Sequence, residues 1–237
     1  MQPYLLLFDI DGTLMLSANS GMHAMRATAE SMFGPGFKWD GVTAAGRLDP
    51  HILSEAATLN GLDLSDRLDA FRDAYIARLA TELVARAAQI EVMPGVIDLV
   101  HQLRDRAAAH QDVVLGVLTG NFAAAAPLKL QAIQLDVSWF PITAFGDEAP
   151  TRPDLVALAM QRYAARFGSE IPPDHVVVIG DTPHDVDCAK RNGCIAFAVA
   201  TGHHAADVLH DAGADVVVEN LADPTPLLNL LHPAANA

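Results

Sequence analysis

The stretch Tyr4-Leu5-Leu6-Leu7-Phe8-Asp9-Ile10-Asp11-Gly12-Thr13-Leu14 decides how the rest of the chain is read. Its apolar run suits a buried strand. Two carboxylates follow at the carboxyl end, two positions apart, and in extended chain such residues share a face. An Asp-Gly turn closing a strand accounts for Asp11 and Gly12. It leaves Asp9 unexplained, because an unpaired carboxylate beside a buried strand is costly.

Further β-rich runs recur along the chain with helical patterns between them: Val113–Leu118, Phe140–Phe145, Val176–Ile179, Ile195–Val199 and Val216–Val218. They are almost continuously apolar, as strands buried on both faces are. This predicts an α/β fold, a doubly wound and mainly parallel sheet with helices on each side. About eighty residues separate the first run from the second, far more than an ordinary crossover needs. Residues 16–93 therefore read as an inserted helical cap domain, and residues 1–15 with 94–237 as the α/β core, re-entered at Pro94-Gly95. Within the insert, Asp49 and Pro50 read as N-cap and first residue of a helix that stops at Asn60-Gly61. An amphipathic stretch from Ser65 to Ala88 follows.

Composition narrows the function classes. With 237 residues, 51 % hydrophobic and 19 % charged, the chain is that of a globular protein, and only His232 to Ala237 reads as a disordered tail. A formal net charge of −14, from 15 Lys+Arg against 29 Asp+Glu, argues against a nucleic-acid or anionic-membrane partner. No run is long enough to span a membrane, and the apolar N-terminal run lacks a preceding basic region, so the expected location is the cytoplasm. Cys188 and Cys194 read as buried free thiols in that compartment. An anionic ligand would need a local reversal of the acidic field.

Three more polar signatures recur at strand ends or helix starts. Leu118-Thr119-Gly120-Asn121 offers a hydroxyl, a flexible backbone and amide donors suited to a phosphate oxygen, or alternatively a helix N-cap. Arg152 precedes Pro153, where a helix from Asp154 to Phe167 is expected. The positive end of a helix dipole disfavours a cation, so Arg152 reads as held against an anion or carboxylates, with a solvated surface Arg as the alternative. Val178-Ile179-Gly180-Asp181-Thr182-Pro183-His184-Asp185 again runs from strand into helix, with Asp185 able to cap and Asp181 left at the sheet's crevice. Gathering Asp9, Asp11, Asp181 and Asp185 in one crevice demands a cation, and oxygen ligands alone select a hard ion such as Mg²⁺.

Taken together, Asp9-Ile10-Asp11-Gly12-Thr13, the Thr119 site, a basic residue before a helix and Gly180-Asp181-Thr182-Pro183 with Asp185 resemble the four motifs of the haloacid dehalogenase superfamily. The likeness spans almost the whole chain, and within the superfamily it is similar to phosphoglycolate-phosphatase-like members with a helical cap after the first motif. The resemblance implies that Asp9 attacks phosphorus and that Asp11 protonates the leaving oxygen and then activates water. It implies Mg²⁺ held by the Asp9 side chain, the Asp11 carbonyl, Asp181 and Asp185. Gly12, Thr119, Gly120 and Asn121 would bind phosphoryl oxygens and Arg152 would neutralise transition-state charge.

Arg152 departs from the lysine more usual at its position. Lys129 is the other candidate, but its place in the helix after the second motif points to a salt bridge or to solvent. In the cap, Thr43-Ala44-Ala45-Gly46-Arg47-Leu48-Asp49 resembles a loop lowered over the site, where Arg47 would read a second anionic group or stand as a solvated surface residue. His203-His204 lacks a third ligand and reads as surface. The expected partner is a small phosphorylated metabolite, turned over by a monomer or a homodimer. A phosphomutase, or a regulator that only binds such metabolites, stays open as an alternative. A dehalogenase is disfavoured by Asp11.

Overall fold

The computed structural model describes residues 2–64 and 66–231. The expected tail at His232–Ala237 and the start of the amphipathic stretch at Ser65 lie outside the described residues. In chain order the elements are β1 (Tyr4–Phe8), β2 (Met15–Leu16), α1 (Ser20–Phe33), α2 (Asp49–Leu59), α3 (Leu68–Ala85), β3 (Glu91–Val92), α4 (Val96–His110), β4 (Val113–Thr119) and α5 (Ala126–Ala132). There follow β5 (Ile142–Phe145), α6 (Arg152–Phe167), β6 (Val176–Gly180), α7 (Pro183–Arg191), β7 (Ile195–Val199), α8 (Ala206–Asp211), β8 (Val216–Val218) and α9 (Thr225–Leu230).

The main sheet has the order β5-β4-β1-β6-β7-β8, and every pairing in it is parallel. Side chains of β1 alternate between two cores. Leu6 and Phe8 face α4, α5 and α9, where Leu99, Leu103, Leu130 and Leu227 pack. Leu5 and Leu7 face α6, α7 and α8, packing with Val156, Ala159, Val186 and Leu209. Complete burial of such a leucine is worth about 1.5–3 kcal/mol, which explains why the strands tolerate almost no polar residue. The doubly wound sheet is therefore as expected.

β1 is flanked by β4 on one side and β6 on the other, so the connections diverge there. A crevice opens at that switch point, at the carboxyl ends of the strands. All three strands end on the same side, which delivers Asp9, Thr119 and Asp181 to one place.

Between the short antiparallel strands β2 and β3, where Met15 pairs with Val92, the chain forms a helical layer. In α3, Phe71, Tyr75, Leu79 and Leu83 recur every fourth residue and form its buried stripe. They join Met25 and Ala29 of α1 and Ile52, Leu53 and Ala56 of α2 in a cluster separate from the two sheet cores. Phe122 and Ala125, from the segment after β4, belong to this cluster too.

Several expected boundaries shift. β5 begins at Ile142 and not at Phe140, because Pro141 cannot donate to a ladder. α2 begins at Asp49 with Leu48 as its N-cap, one residue earlier than expected. The amphipathic stretch ends at Ala85, with a separate 3-10 turn at Ala87–Gln89. α6 starts at Arg152 and not Asp154: Thr151 and Asp154 form a reciprocal capping box, so Asp154 occupies the third helical position. No helix begins directly at Thr119, since α5 opens at Ala126.

Candidate active site

Asp9 continues the sheet through its main chain, donating N–H to Ile179 O at 2.9 Å. The residue is only 5 % exposed. Oδ1 accepts from the Ile10 N–H at 2.8 Å, and Oδ2 accepts from Arg152 Nη2 at 2.8 Å. The same Arg152 nitrogen donates to Asp185 Oδ1 at 2.6 Å. Arg152 thus bridges two carboxylates with one nitrogen, as a lysine would, and a guanidinium serves where a point charge is more usual. Its Nε is buried without a hydrogen-bond partner among the described residues.

Gly12 adopts φ 83° and lies against Asp181, where a Cβ would overlap the carboxylate. That close approach explains the glycine after Asp11. Thr13 Oγ1 donates to Asp181 Oδ1 at 3.2 Å. Asp185 accepts at Oδ2 from the Thr182 hydroxyl at 2.7 Å and the Thr182 N–H at 3.1 Å. It caps α7 and pairs with Arg152 at once.

One oxygen from each of Asp9, Asp181 and Asp185 lies within 4.8 Å of the other two. Against these carboxylates stands the single guanidinium of Arg152. Burial pushes Asp9 up to about 6, with Arg152 pulling the other way and Asp185 and Asp11 adding repulsion. Burial likewise pushes Asp181 up to about 8, reinforced by Asp185 and Asp9. A hard divalent ion fits this donor set: the ligands are all oxygen, the cluster is buried, and its charge exceeds what Arg152 offsets. Both oxygens of Asp9 and of Asp185 already accept hydrogen bonds, whereas Asp181 keeps Oδ2 without one among the described residues.

These shifts have a stability consequence for the metal-free protein. A carboxyl whose value is raised on folding holds its proton in the native state after the unfolded chain has lost it. Between the ordinary value near 3.8 and the raised values of about 6 and 8, the native state binds more protons, so stability falls as pH rises. In chelator, the melting temperature is expected to drop from pH 5 to pH 8, and Mg²⁺ is expected to restore it most strongly at pH 8. A flat or rising profile in chelator, or one that Asp181→Asn leaves unaltered, counts against the repulsive cluster.

Asp11 turns away from this cluster. Its side chain, 41 % exposed, opens into the cavity. Its carboxylate accepts from Ser17 Oγ at 3.2 Å, Asn121 Nδ2 at 2.8 Å and Lys129 Nζ at 2.5 Å. Burial works upward on Asp11, but the Lys129 ammonium and these donors outweigh it and hold the carboxyl below its usual value. Lys129 also donates to Asn121 Oδ1 at 2.6 Å and is buried. The salt bridge expected for Lys129 exists, but it lies inside the site.

Thr119 ends β4 beside Asp9, and its hydroxyl favours the ionised Asp9. Asn121 spends its amide on Thr119 Oγ1 (2.7 Å), Asp11 and Lys129, so it organises the site instead of offering a free donor to an anion. The Gly120 carbonyl accepts from the Asp49 N–H at 2.7 Å, and a Cβ on Gly120 would overlap the Arg47 carbonyl. Asp49 Oδ2 in turn accepts from the Phe122 N–H at 3.0 Å. Asp49, expected only to cap its own helix, thus ties the helical layer to the segment after β4. Arg47 lines the cavity, but its guanidinium pairs with Glu55 at 2.5 Å and donates to Thr43 O at 3.0 Å. His203 is exposed and lies at the cavity wall.

Asp9, Asp11, Thr119, Asn121, Lys129, Arg152 and Asp181 all line one cavity of about 320 Å³ between the strand ends and the helical layer. The sequence model of the haloacid dehalogenase-like hydrolases matches residues 6–190, from inside β1 to the end of α7. The chain belongs to this family. As a haloacid dehalogenase-like hydrolase it is 27 % identical to a probable phosphatase, IndB, of Dickeya dadantii, over 94 % of this chain and 92 % of that protein. It is also 27 % identical to a phosphoglycolate phosphatase of Synechococcus elongatus, over 92 % and 93 %. Among solved structures, CbbY from Rhodobacter sphaeroides in complex with phosphate superposes with a TM-score of 0.69 at 21 % identity, covering 94 % of this hydrolase and 96 % of that chain. A hydrolase from Pseudomonas syringae gives 0.68 at 23 %, over 96 % and 98 %. These two likenesses establish the shared fold.

Sequence reasoning missed Tyr75, Ser17 and Asp49 as site residues, and it weighed Lys129 only to set it aside as salt-bridged or solvated. The one local signal for Lys129 is a lone charge between Leu128 and Leu130 in a short, mostly apolar helix.

Proposed function

We propose that this phosphatase of the haloacid dehalogenase family is a Mg²⁺-dependent phosphomonoesterase that acts on a small phosphorylated metabolite through an aspartyl-phosphate at Asp9. The observation that carries it is the Asp9 carboxylate, buried at the crevice floor with one oxygen held by Arg152 and Thr119 beside it. The names of the Dickeya and Synechococcus relatives support a phosphatase, and the second supports a phosphoglycolate-like substrate.

An Asp9 oxygen attacks phosphorus as the bond to the leaving oxygen breaks, and Asp11 gives the leaving oxygen a proton. Water then attacks the phosphorus of the aspartyl-phosphate, Asp11 takes the proton from that water, and the bond to Asp9 breaks. Lys129 favours the ionised Asp11 that this second step needs. Thr119 and the backbone at Gly120 receive phosphoryl oxygens, while Arg152 offsets their charge. Asp9, Asp181 and the Asp11 carbonyl would hold Mg²⁺, with Asp185 behind them, and the ion would supply positive charge at the phosphoryl group. Residues 16–93 would act as the cap that determines which leaving group fits.

The test is phosphate release from p-nitrophenyl phosphate and from a panel of phosphorylated metabolites. Release that requires Mg²⁺ and stops on chelation is expected; turnover that continues in excess chelator overturns the metal-dependent reading.

A further inference from the structure

Two polar groups on the Asp11 side of the cavity are given no contact with the substrate in the chemistry above. Lys129, 4 % exposed, uses two of its three ammonium hydrogens on Asp11 and Asn121 and keeps one in hand. Tyr75 of α3 is 1 % exposed, with its ring packed on Phe122 at 5.7 Å between centroids. Its hydroxyl makes no hydrogen bond among the described residues. Burial, with Asp49 and Asp11 adding to it, holds the phenol well above its usual value, so it stays protonated and offers a donor.

Both groups converge on Gly21. A Cβ built there would lie 3.6 Å from Lys129 Nζ and 3.6 Å from Tyr75 Oη, so the missing side chain leaves the two donors facing open space. Gly21, Tyr75 and Lys129 all line the cavity. The acidic neighbours are already engaged, Asp11 by three donors and Asp49 by the Phe122 N–H. Met22, Met25 and Ile52 add apolar surface to the same cavity, and Ser17, Asn19 and Arg47 add further polar groups to its lining.

We propose that Lys129 and Tyr75 form a second anion subsite that takes a carboxylate on the leaving group, which makes small phosphate monoesters of hydroxy acids the preferred substrates. This rests on the phosphatase reading above. Arg152 serves the phosphoryl end; Lys129 and Tyr75 each donate one hydrogen bond to the carboxylate at the other. The charged donor gives affinity, and the neutral one fixes the orientation.

The experiment compares kcat/KM for phosphoglycolate with that for 2-hydroxyethyl phosphate, which replaces the carboxylate by an alcohol, in the parent enzyme, Lys129→Gln and Tyr75→Phe. The parent is expected to prefer the carboxylate by about a hundredfold or more, and each substitution to cut that preference by roughly tenfold or more. Any damage to Asp11 in Lys129→Gln slows both esters and cancels in the ratio. Tyr75→Phe keeps the ring on Phe122 and leaves Asp11 untouched. A parent without the preference, or a preference that survives both substitutions, overturns the subsite. A parent that hydrolyses no phosphate ester at all refutes instead the phosphatase reading on which the subsite depends.

Discussion

Asp9→Asn is expected to lower kcat for phosphate release by about four orders of magnitude or more, because an amide oxygen is too weak a nucleophile to displace the leaving group. The same substitution is not expected to unfold the protein. Asn keeps the oxygen that accepts the Ile10 N–H, and it removes one charge from a buried cluster in which burial and Asp185 already disfavour the ionised form. Arg152 loses one partner and retains Asp185. In chelator at pH 8 the melting temperature of the variant is therefore expected to match or exceed that of the parent. Turnover above about a hundredth of the parent's would remove Asp9 from the nucleophile's role, whereas loss of turnover together with a collapsed melting temperature would leave only a folding defect.

Arg152→Met is expected to be the most damaging single change to the fold around the site. It strands Asp9 and Asp185 without their shared cation, and breaking a buried pair in this way costs about 3–5 kcal/mol. Turnover is expected to fall by about three orders of magnitude as the positive charge facing the phosphoryl oxygens is lost. Arg152→Lys separates the two effects. One nitrogen of Arg152 makes both carboxylate bonds, so a lysine ammonium reproduces the bridge and most of the stability returns. The second guanidinium nitrogen, which lies toward Gly120, has no counterpart in lysine, and activity is expected to stay about tenfold down. Thermal melts and kcat on p-nitrophenyl phosphate measure both. A lysine variant as unstable as the methionine variant would mean that the planar guanidinium, and not its charge, is what the cluster needs.

The parallel sheet and the convergence of Asp9, Thr119, Arg152 and Asp181 were legible in the sequence for one reason. Each follows an apolar run or opens a helix, and in a parallel sheet those local positions coincide in space. Asp185 was legible twice, as a cap and as a carboxylate of the crevice. The groups that escaped notice, or in the case of Lys129 were set aside, depend on contacts between distant parts of the chain. Lys129 reaches Asp11 across the cavity, and Tyr75 is a regular member of the α3 stripe whose hydroxyl alone is unusual. Asp49 looked like a cap because its local sequence is that of a cap, yet its oxygen serves Phe122. β2 and β3 are two residues each, too short for any periodicity to register. Boundary errors at Phe140 and Asp154 came from a proline that cannot join a ladder and from a capping box at Thr151 and Asp154 that sets the helix start two residues earlier.

Phe122, Ala125 and Lys129 lie in the α/β half by chain position, yet the first two pack in the cluster of the helical layer and the third lines the cavity opposite it. Exchanging the segment between β2 and β3 for that of a relative would therefore graft a foreign surface onto Phe122 and separate Tyr75 from Lys129. A chimaera designed to carry a new specificity has to transplant residues 120–129 together with the helices, because the natural module is discontinuous in sequence.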